Sequence, residues 1–357
     1  MPQDGAIAQP AGHLRLHFDE DRHAKGPRNL SAVEQIGSTL WLGSDEGSYL
    51  DRLSTADHAN YGDHMAYSLS DFFDLPGGSD GEVDLEGLAV DRTGKRLWFT
   101  GSHSLRRKVP RIGDDGREAA HALRNINQQP NRFLLGSVGF NLDANGIVGL
   151  VPGSGRALPF DKDGSRLGEM LANDVLVGPF LAIPAKENGL DIEGIAVDGD
   201  TVFLGLRGPV LRGWAIILQL NLEPTQKGLL EPLPLTQKGR RYLRHLINLD
   251  GLGVRDLCVL GDDLLVLAGP TMDLDGPIRL FRWRKALKMT ADQRVDGNPL
   301  EVLFDIPWGF RTDHAEGIAL FRAPEQAEPR LLVVYDSPAK SRLHYGHYFE
   351  ADLFSLR

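Results

Sequence analysis

The sequence predicts an all-β protein folded as a single β-propeller, from a repeated motif, the spacing of its copies and an unpaired strand near the N-terminus. The motif consists of an acidic or polar residue, then glycine or a residue in its place, then a short apolar run. Its copies are 84–90, 191–197 and 314–320, with a looser copy at 253–259 and a weaker one at 29–33. A second apolar run follows each copy about ten residues later. Short strands that repeat at intervals of tens of residues indicate a propeller or an array.

The intervals between the copies match the length of one four-stranded blade. Ser31 precedes Glu86 by 55 residues, Glu193 precedes Arg255 by 62, and Arg255 precedes Glu316 by 61. The interval from Glu86 to Glu193 is longer, at 107 residues. In a propeller these five residues would lie at equivalent places around the central axis.

The long interval decides the expected number of blades. Its polar segment 102–131 offers no candidate for the third strand of a blade, and 132–138 is the first apolar run that can serve as one. This favours five blades in one domain of residues 1–357, with insertions in the second blade at about 102–131 and 140–180. Six blades are the alternative, in which Ser137 would belong to a blade of its own.

The ring is expected to close through the N-terminus. After its last motif the chain has room for three strands, whereas 14–18 alternates apolar and polar residues without a partner nearby in sequence. An open sheet edge promotes aggregation, so a closed ring needs a strand from the other terminus. We expect 14–18 to pair within the blade that contains Tyr335 and Tyr345.

Composition excludes several classes of protein. The net charge of −10 disfavours nucleic-acid binding, which requires a clustered basic face. No run of about twenty apolar residues is present, which predicts no membrane span. The first nine residues lack the pattern of a signal peptide, so we expect a cytoplasmic protein. The single cysteine, Cys258, is expected in the core.

Acidic side chains at equivalent positions are the main candidates for a functional site. Residues at alternate positions of a strand point to the same side, so each motif presents a polar pair to the axis; the acidic members are Asp84, Glu86, Asp191, Glu193 and Glu316. Two carboxylates about 4 Å apart repel by roughly 4 kcal/mol at an effective dielectric constant of 20. A cation, an arginine or protonation must therefore neutralise them. Oxygen ligands without cysteine or clustered histidine favour a hard divalent cation, Ca²⁺ before Mg²⁺ or Mn²⁺.

Three further residues are candidates for chemistry. Arg207 follows the second apolar run of its repeat and is suited to holding a carboxylate or phosphate, or to an ion pair between blades. Arg255 replaces the glutamate in the fourth copy, where it would pair with the glutamates and plug the channel, or bind an anion. His103 would act as a general acid or base, or be an ordinary buried or surface histidine.

Strand direction predicts which other side chains lie near the glutamates. The first and second strands of a blade are antiparallel, so the residues after each second run are expected on the glutamate face. They are Ser44, Asp45, Glu46, Ser102, His103, Arg207, Thr271, Asp273, Asp336 and Ser337. The basic cluster Arg106, Arg107, Lys108 and Arg111 is interpreted instead as a solvated loop.

Three strings, 100–104, 187–194 and 205–213, together resemble those of domain of unknown function 3616, over about residues 29–345. That resemblance implies a propeller-like fold. More distantly, the glutamate–glycine strings are similar to those of the phytase-like esterase and gluconolactonase-type propellers, in which such a glutamate often binds a divalent cation in the channel. By this resemblance Glu86, Glu193 and Glu316 are the expected metal ligands.

The leading functional hypothesis is a metal-assisted hydrolase of a small anionic substrate, a phosphate ester or a lactone. The cation would activate water or polarise the substrate, Arg207 and Arg255 would orient the anion, and His103 would transfer the proton. The alternative is a non-catalytic propeller that serves as an interaction platform for a protein partner or a ligand.

Overall fold

The computed structural model describes residues 6–19, 29–225, 228–272, 274–324, 326–344 and 348–356. Its strands are β1 (Gly12–Leu16), β2 (Leu30–Ile36), β3 (Thr39–Ser44), β4 (Tyr49–Ser54), β5 (Asn60–Ser68), β6 (Leu85–Asp91), β7 (Arg96–Gly101), β8 (Leu105–Arg107), β9 (Ile126–Gln128), β10 (Leu135–Leu142), β11 (Val148–Leu150), β12 (Arg156–Ala157) and β13 (Asp191–Asp198). The chain continues through β14 (Thr201–Leu211), β15 (Trp214–Pro224), β16 (Leu230–Pro232), β17 (Leu243–Asn248), β18 (Gly253–Leu260), β19 (Asp263–Gly269), β20 (Ile278–Trp283), β21 (Arg294–Val295), β22 (Leu300–Ile306), β23 (His314–Phe321), β24 (Arg330–Asp336), β25 (Leu343–His344) and β26 (Tyr348–Ser355). Two α-helices, α1 (Gly116–Arg124) and α2 (Arg166–Leu171), complete the regular elements of this part of the chain.

The main strands form antiparallel sets that radiate from a central ring, and the fold is a β-propeller. In each set the chain passes from an inner strand outward, as in β2-β3-β4-β5 and β18-β19-β20-β22. The inner strands β2, β6, β13, β18 and β23 contact one another in that order, and β23 contacts β2. The predicted all-β propeller is therefore confirmed.

The N-terminal strand closes the ring, as predicted. Strand β1 pairs antiparallel with β26, which pairs with β24, the strand that contains Tyr335. It also pairs in parallel with β5, so it joins the first set to the last. Leu14 and Leu16 are each 1% exposed. The strand begins two residues before the predicted segment, and Tyr345 lies outside the described residues.

The second set is the sheet of β6, β7, β10 and β11. It differs from the others because a long segment separates its second and third main strands. This segment, between β7 and β10, carries the hairpin β8–β9 and helix α1. Ser137 lies in β10, which pairs with β7 in the same sheet as β6, so it does not begin a separate sheet. The hairpin stands over one end of the inner ring and forms a wall of the cavity described below.

Apolar side chains fill the spaces between neighbouring sheets. One cluster, for example, packs side chains of β13, β14 and β15 against Trp98 and Leu135 of the second set. Cys258 is buried, as predicted. The described residues include no helix that is long and apolar enough to cross a membrane.

Candidate functional site

Every inner strand contains a β-bulge at the position that the motif predicts. Leu85 pairs with Gly101 and Gly87 pairs with Thr100, so Glu86 between them is left without a cross-strand partner. The same shift in register skips the equivalent residue of the other four strands, which is Ser31, Glu193, Arg255 or Glu316. A bulge bends a strand and redirects a side chain. The equivalence that the sequence predicts for these five residues is therefore confirmed.

The residue after each bulge sets how closely the inner strands approach. A Cβ on Gly87 would lie 3.1 Å from the backbone nitrogen of Ile195, and one on Gly317 would lie 3.0 Å from Cα of Ala32. A side chain at either position would therefore hold the neighbouring inner strands further apart. The fourth repeat has Asp256 at this position, and its carboxylate accepts a hydrogen bond of 2.7 Å from the backbone N–H of Ile318 in the next inner strand.

Arginines neutralise two of the three bulge glutamates. Arg255 donates from Nη1 to both carboxylate oxygens of Glu193, at 3.1 and 2.9 Å, and from Nη2 to Oε1 of Glu316 at 2.6 Å. Arg207 donates to Oε1 of Glu193 at 2.7 Å, and its Nη1 lies 3.6 Å from Oδ2 of Asp191. Both arginines are more than nine-tenths buried. They form a charged plug across the ring, which is one of the alternatives left open for Arg255 by the sequence.

A third arginine, which the sequence did not single out, pairs with the acidic residues of the second set. Arg132 lies 2.8 Å from Oδ2 of Asp84 through Nη1 and also pairs with Glu82 through Nη2. Its Nη1 donates to Oγ of Ser104 at 3.1 Å. Burial nevertheless raises the pKa of Asp84, while Arg132 acts to lower it.

The ring does not fit the divalent cation that the sequence led us to expect. Ca²⁺ takes six to eight oxygen ligands at 2.3–2.6 Å, whereas both oxygens of Glu193 and one of Glu316 are bound by guanidinium groups. Within the described part of the chain, no group of three or more aspartate, glutamate, histidine or cysteine side chains is arranged to hold a metal ion. The geometry therefore gives the calcium prediction no support.

Glu86 differs from its two equivalents because no arginine reaches it. No hydrogen bond or ion pair of the described residues involves its carboxyl group, although the residue is only 9% exposed. Burial raises its pKa well above the usual range, and the nearby carboxylates of Asp84, Glu193 and Glu316 raise it further. Burying a carboxylate without a partner costs several kcal/mol. Burial therefore favours the protonated form of this carboxyl group.

Glu86 lines a cavity of about 370 Å³ over one end of the ring. Ten acidic and six basic residues line it among those described: Asp45, Glu46, Glu82, Asp84, Glu86, Glu187, Asp191, Glu193, Glu316 and Asp336, with Arg106, Arg107, Lys108, Arg132, Lys186 and Arg207. At about 30 Å³ per water, the volume corresponds to roughly a dozen water molecules. The cavity is acidic overall and has room for a small organic molecule.

Residues that follow the second strands contribute to this cavity, as predicted from strand direction. Asp45, Glu46, Arg207 and Asp336 line it, whereas Asp273 lies outside the described residues. The other predicted residues are absent from its described lining; besides His103, they are Ser44, Ser102, Thr271 and Ser337. Burial, followed by the charge of Asp336, raises the pKa of Asp45 to about 7. Its Oδ1 atom is buried without a hydrogen-bond partner. Burial and the neighbouring Glu193 raise the pKa of Asp191 to about 7 as well.

Two predicted site residues lie elsewhere. His103 is absent from the described lining of the cavity; its ring packs 6.0 Å from that of Phe133, and burial lowers its pKa to about 4. Its Nε2 atom has no hydrogen-bond partner. Arg255 lies within the plug and is also absent from that lining. The expected proton transfer by His103 and anion binding by Arg255 therefore have no support from their positions.

Three residues of the basic cluster lie at the cavity, and the exposed side chains of Arg106 and Lys108 agree with the solvated loop expected from the sequence. Arg106, Arg107 and Lys108 all line it. Arg107 pairs with Glu187 and donates to the carbonyl oxygen of Leu123. No signal in the sequence placed this segment over the ring, because the fold of the long insertion decides where it lies.

Comparison with solved structures finds propellers at very low sequence identity. Glutaminyl cyclase from Myxococcus xanthus is 9% identical, with a TM-score of 0.41 and coverage of 99% of this chain and 100% of that chain. The PQQ-bound aldose sugar dehydrogenase from Streptomyces coelicolor is 12% identical, with a TM-score of 0.43 and the same coverage. The calcium-binding protein regucalcin from Agrobacterium tumefaciens is 12% identical, with a TM-score of 0.37 and coverage of 98% and 96%. At these scores the likeness carries no argument about function.

No curated protein sequence matches this chain. A family model does match, and it spans residues 29–352, which include every inner strand and all the acidic residues of the cavity. The chain belongs to the family described as protein of unknown function, DUF3616.

Proposed function

We propose that the cavity over the ring binds a small molecule that carries a protonated amine, and that Glu86 is the principal contact of the amine. The single observation that carries the proposal is the unpartnered, nine-tenths buried carboxyl group of Glu86 in a cavity lined by more acidic than basic residues. The proposal corresponds to the alternative expected from the sequence, a non-catalytic interaction platform, with a small-molecule ligand rather than a protein partner.

An organic ammonium group suits this cavity better than a metal ion does. An ammonium group donates hydrogen bonds to oxygens at about 2.7–3.2 Å. It therefore needs neither a full coordination shell nor the oxygens of Glu193, which arginines already bind. The carboxyl groups of Glu86 and Asp45 both lack a hydrogen-bond partner at an oxygen in the described structure. A cation beside them would offset the repulsion that raises their pKa values.

The test uses n-butylamine as the probe and n-butanol as its uncharged counterpart, with binding measured by isothermal titration calorimetry. We expect the amine to bind and the alcohol not to bind. Because Glu86 must lose its proton to pair with the ammonium, affinity should rise with pH from 5 to 8. The amine itself stays protonated over this range, since its pKa resembles that of lysine.

Matched variants separate the site from a general charge effect. Glu86→Gln should abolish amine binding. Glu34→Gln is the control, because Glu34 is also a buried glutamate of an inner strand whose pKa burial raises to about 7, but it lines a separate cavity. Equal binding of butylamine and butanol, or undiminished binding by Glu86→Gln, would overturn the proposal.

A second candidate is hydrolysis without a metal ion, which the titration behaviour of the cavity favours. Asp191 has a pKa of about 7, and the pKa of Glu86 is raised well above its usual range. One carboxylate can therefore take a proton from water while the other carboxylic acid donates a proton to the leaving oxygen of an ester or lactone. The small anionic substrate expected from the sequence belongs to this candidate.

Hydrolysis of δ-valerolactone and p-nitrophenyl phosphate tests this second candidate. Activity should survive EDTA, show a bell-shaped dependence on pH and disappear in Glu86→Gln, while Glu34→Gln retains it. Activity that EDTA removes and Ca²⁺ restores would instead support the metal-assisted hydrolase predicted from the sequence.

A further inference from the structure

We propose that the ligand of this cavity is a zwitterion, whose anionic end binds Arg106 and Lys108 of the long insertion in the second set. This inference rests on the proposed function, which concerns only the amine at the other end of the ligand. It is a statement about ligand class, namely a molecule with an ammonium group and a carboxylate or phosphate separated by a short chain.

The cavity has basic side chains at its exposed end as well as acidic side chains in its buried part. The buried acidic residues of its lining are Asp84, Glu86, Asp191 and Glu193, and they are accompanied by two buried arginines. The basic residues contributed by the insertion lie further out; Arg106 has a side chain that is 62% exposed, and Lys108 is also exposed. The outer lining also includes acidic residues, but Glu187 is paired with Arg107, and Glu82 has its short ion pair with Arg132. Arg106 and Lys108 are therefore left without a short ion pair among the described residues.

Arg106 and Lys108 are placed to act together. They are two residues apart on an extended segment, so their side chains leave on the same side, about 7 Å apart along the chain. The segment is held by pairing of Arg106 with Asn127 in the β8–β9 hairpin and by a 3.0 Å hydrogen bond from the N–H of Lys108 to the carbonyl oxygen of Asn125. Two cationic side chains at that separation can bind one anionic group from both sides.

The intervening Arg107 has a different role. It leaves on the opposite side of the strand, and its Nη2 donates to Oε2 of Glu187 at 2.9 Å. The ion pair ties the hairpin to the segment that precedes β13. Arg106, in contrast, is 3.7 Å from Glu82, a longer separation across an exposed surface. An incoming carboxylate or phosphate competes with one weak contact there rather than with a short ion pair.

Three probes of equal chain length test the inference: n-butylamine, butyrate and 4-aminobutyrate. We expect 4-aminobutyrate to bind about three- to tenfold more tightly than n-butylamine, the gain of one or two partly exposed charged contacts. Of the three probes, butyrate should bind most weakly, because the buried acidic residues of the cavity repel its carboxylate. An arm with 3-aminopropyl phosphate decides between carboxylate and phosphate, and ω-amino acids of three to six carbons give the preferred separation of the charges.

Variants of the two basic residues complete the test. The double variant Arg106→Gln with Lys108→Gln should bind 4-aminobutyrate no more tightly than n-butylamine. Arg117→Gln is the matched control, because Arg117 is an exposed arginine of the same insertion that does not line this cavity. Lys108→Gln alone gives a second, milder variant if the double variant melts at a lower temperature.

The outcomes separate this inference from the proposed function. If n-butylamine binds but 4-aminobutyrate gains nothing, the zwitterion inference is wrong and amine binding stands. A gain that persists in the double variant would also overturn the inference, since the anionic end must then lie elsewhere. If n-butylamine fails to bind at all, the proposed function fails first.

Discussion

Glu86 and Glu193 occupy equivalent bulges, yet replacing each by glutamine should change stability in opposite directions. Glu193 accepts hydrogen bonds from Arg255 and Arg207, whereas Glu86 has no hydrogen bond or ion pair among the described residues. Removing the charge of Glu193 leaves two buried guanidinium groups short of their partner. Removing the ionisable group of Glu86 relieves repulsion. The arginine contacts of Glu193, which Glu86 lacks, make the two signs differ.

The magnitudes follow from the two environments. Breaking a buried ion pair by removing one partner costs about 3–5 kcal/mol, and an amide that keeps one acceptor oxygen should fall at the lower end, near 3 kcal/mol. For Glu86, each unit by which burial and neighbouring carboxylates raise the pKa corresponds to about 1.4 kcal/mol of stability at high pH. We expect Glu86→Gln to stabilise the protein at pH 8, in the direction opposite to Glu193→Gln.

The sign of the pH dependence can be worked out for Glu86. Its pKa in the folded state lies above the unfolded value, so the folded state binds more protons and stability falls as pH rises between the two values. Below pH 4 the group is protonated in both states. The gain from Glu86→Gln should therefore be near zero at pH 4 and largest at pH 8.

Urea denaturation followed by tryptophan fluorescence at pH 4, 6 and 8 measures these differences. Glu34→Gln is again a useful comparison, because burial raises the pKa of Glu34 to about 7, which predicts a gain that appears between pH 4 and 7. The reasoning would be refuted if Glu193→Gln were as stable as the parent, or if Glu86→Gln were destabilised at pH 8.

Three further predictions concern the ring and its closure. Leu16→Ala should destabilise the protein by about 2–5 kcal/mol, since this buried side chain holds β1 between the first and last sets. Arg15→Ala, on the exposed side of the same strand, should cost under about 1 kcal/mol in the same urea titration. Asp256→Ala should cost about 3 kcal/mol or more, because the fully buried carboxylate bonds the N–H of Ile318 across two inner strands; unchanged hydrogen exchange at Ile318 would contradict this role. Millimolar Ca²⁺ should leave the melting temperature unchanged, because arginines already bind Glu193 and Glu316; a rise of several degrees that Glu86→Gln abolishes would restore the metal hypothesis.

The repeat alone determined the fold class and the equivalence of the ring positions. Spacing and a polar–glycine–apolar pattern are local properties, and a closed ring turns them into positions at one axis; this is why Glu86, Glu193 and Glu316 could be grouped without a structure. The closing strand followed from the same logic, because 14–18 had an apolar face and no local partner. Its observed bounds, Gly12–Leu16, differ by two residues because pairing with β26 sets them.

The tertiary structure decided which acidic residues are satisfied and which are available. The inner strands follow one another around the ring in chain order, so Arg255 lies between Glu193 and Glu316. Whether its guanidinium group pairs with both depends on side-chain distances that a linear pattern does not specify. The pairing of Arg132 with Asp84, and the position of Lys108 over the cavity, depend on how a long polar insertion folds, where hydrophobic periodicity carries no signal. Sequence therefore identified the acidic ring. Only the three-dimensional distances between charges showed that arginines plug the channel and that, among the described residues, Glu86 has no hydrogen bond or ion pair in the cavity above it.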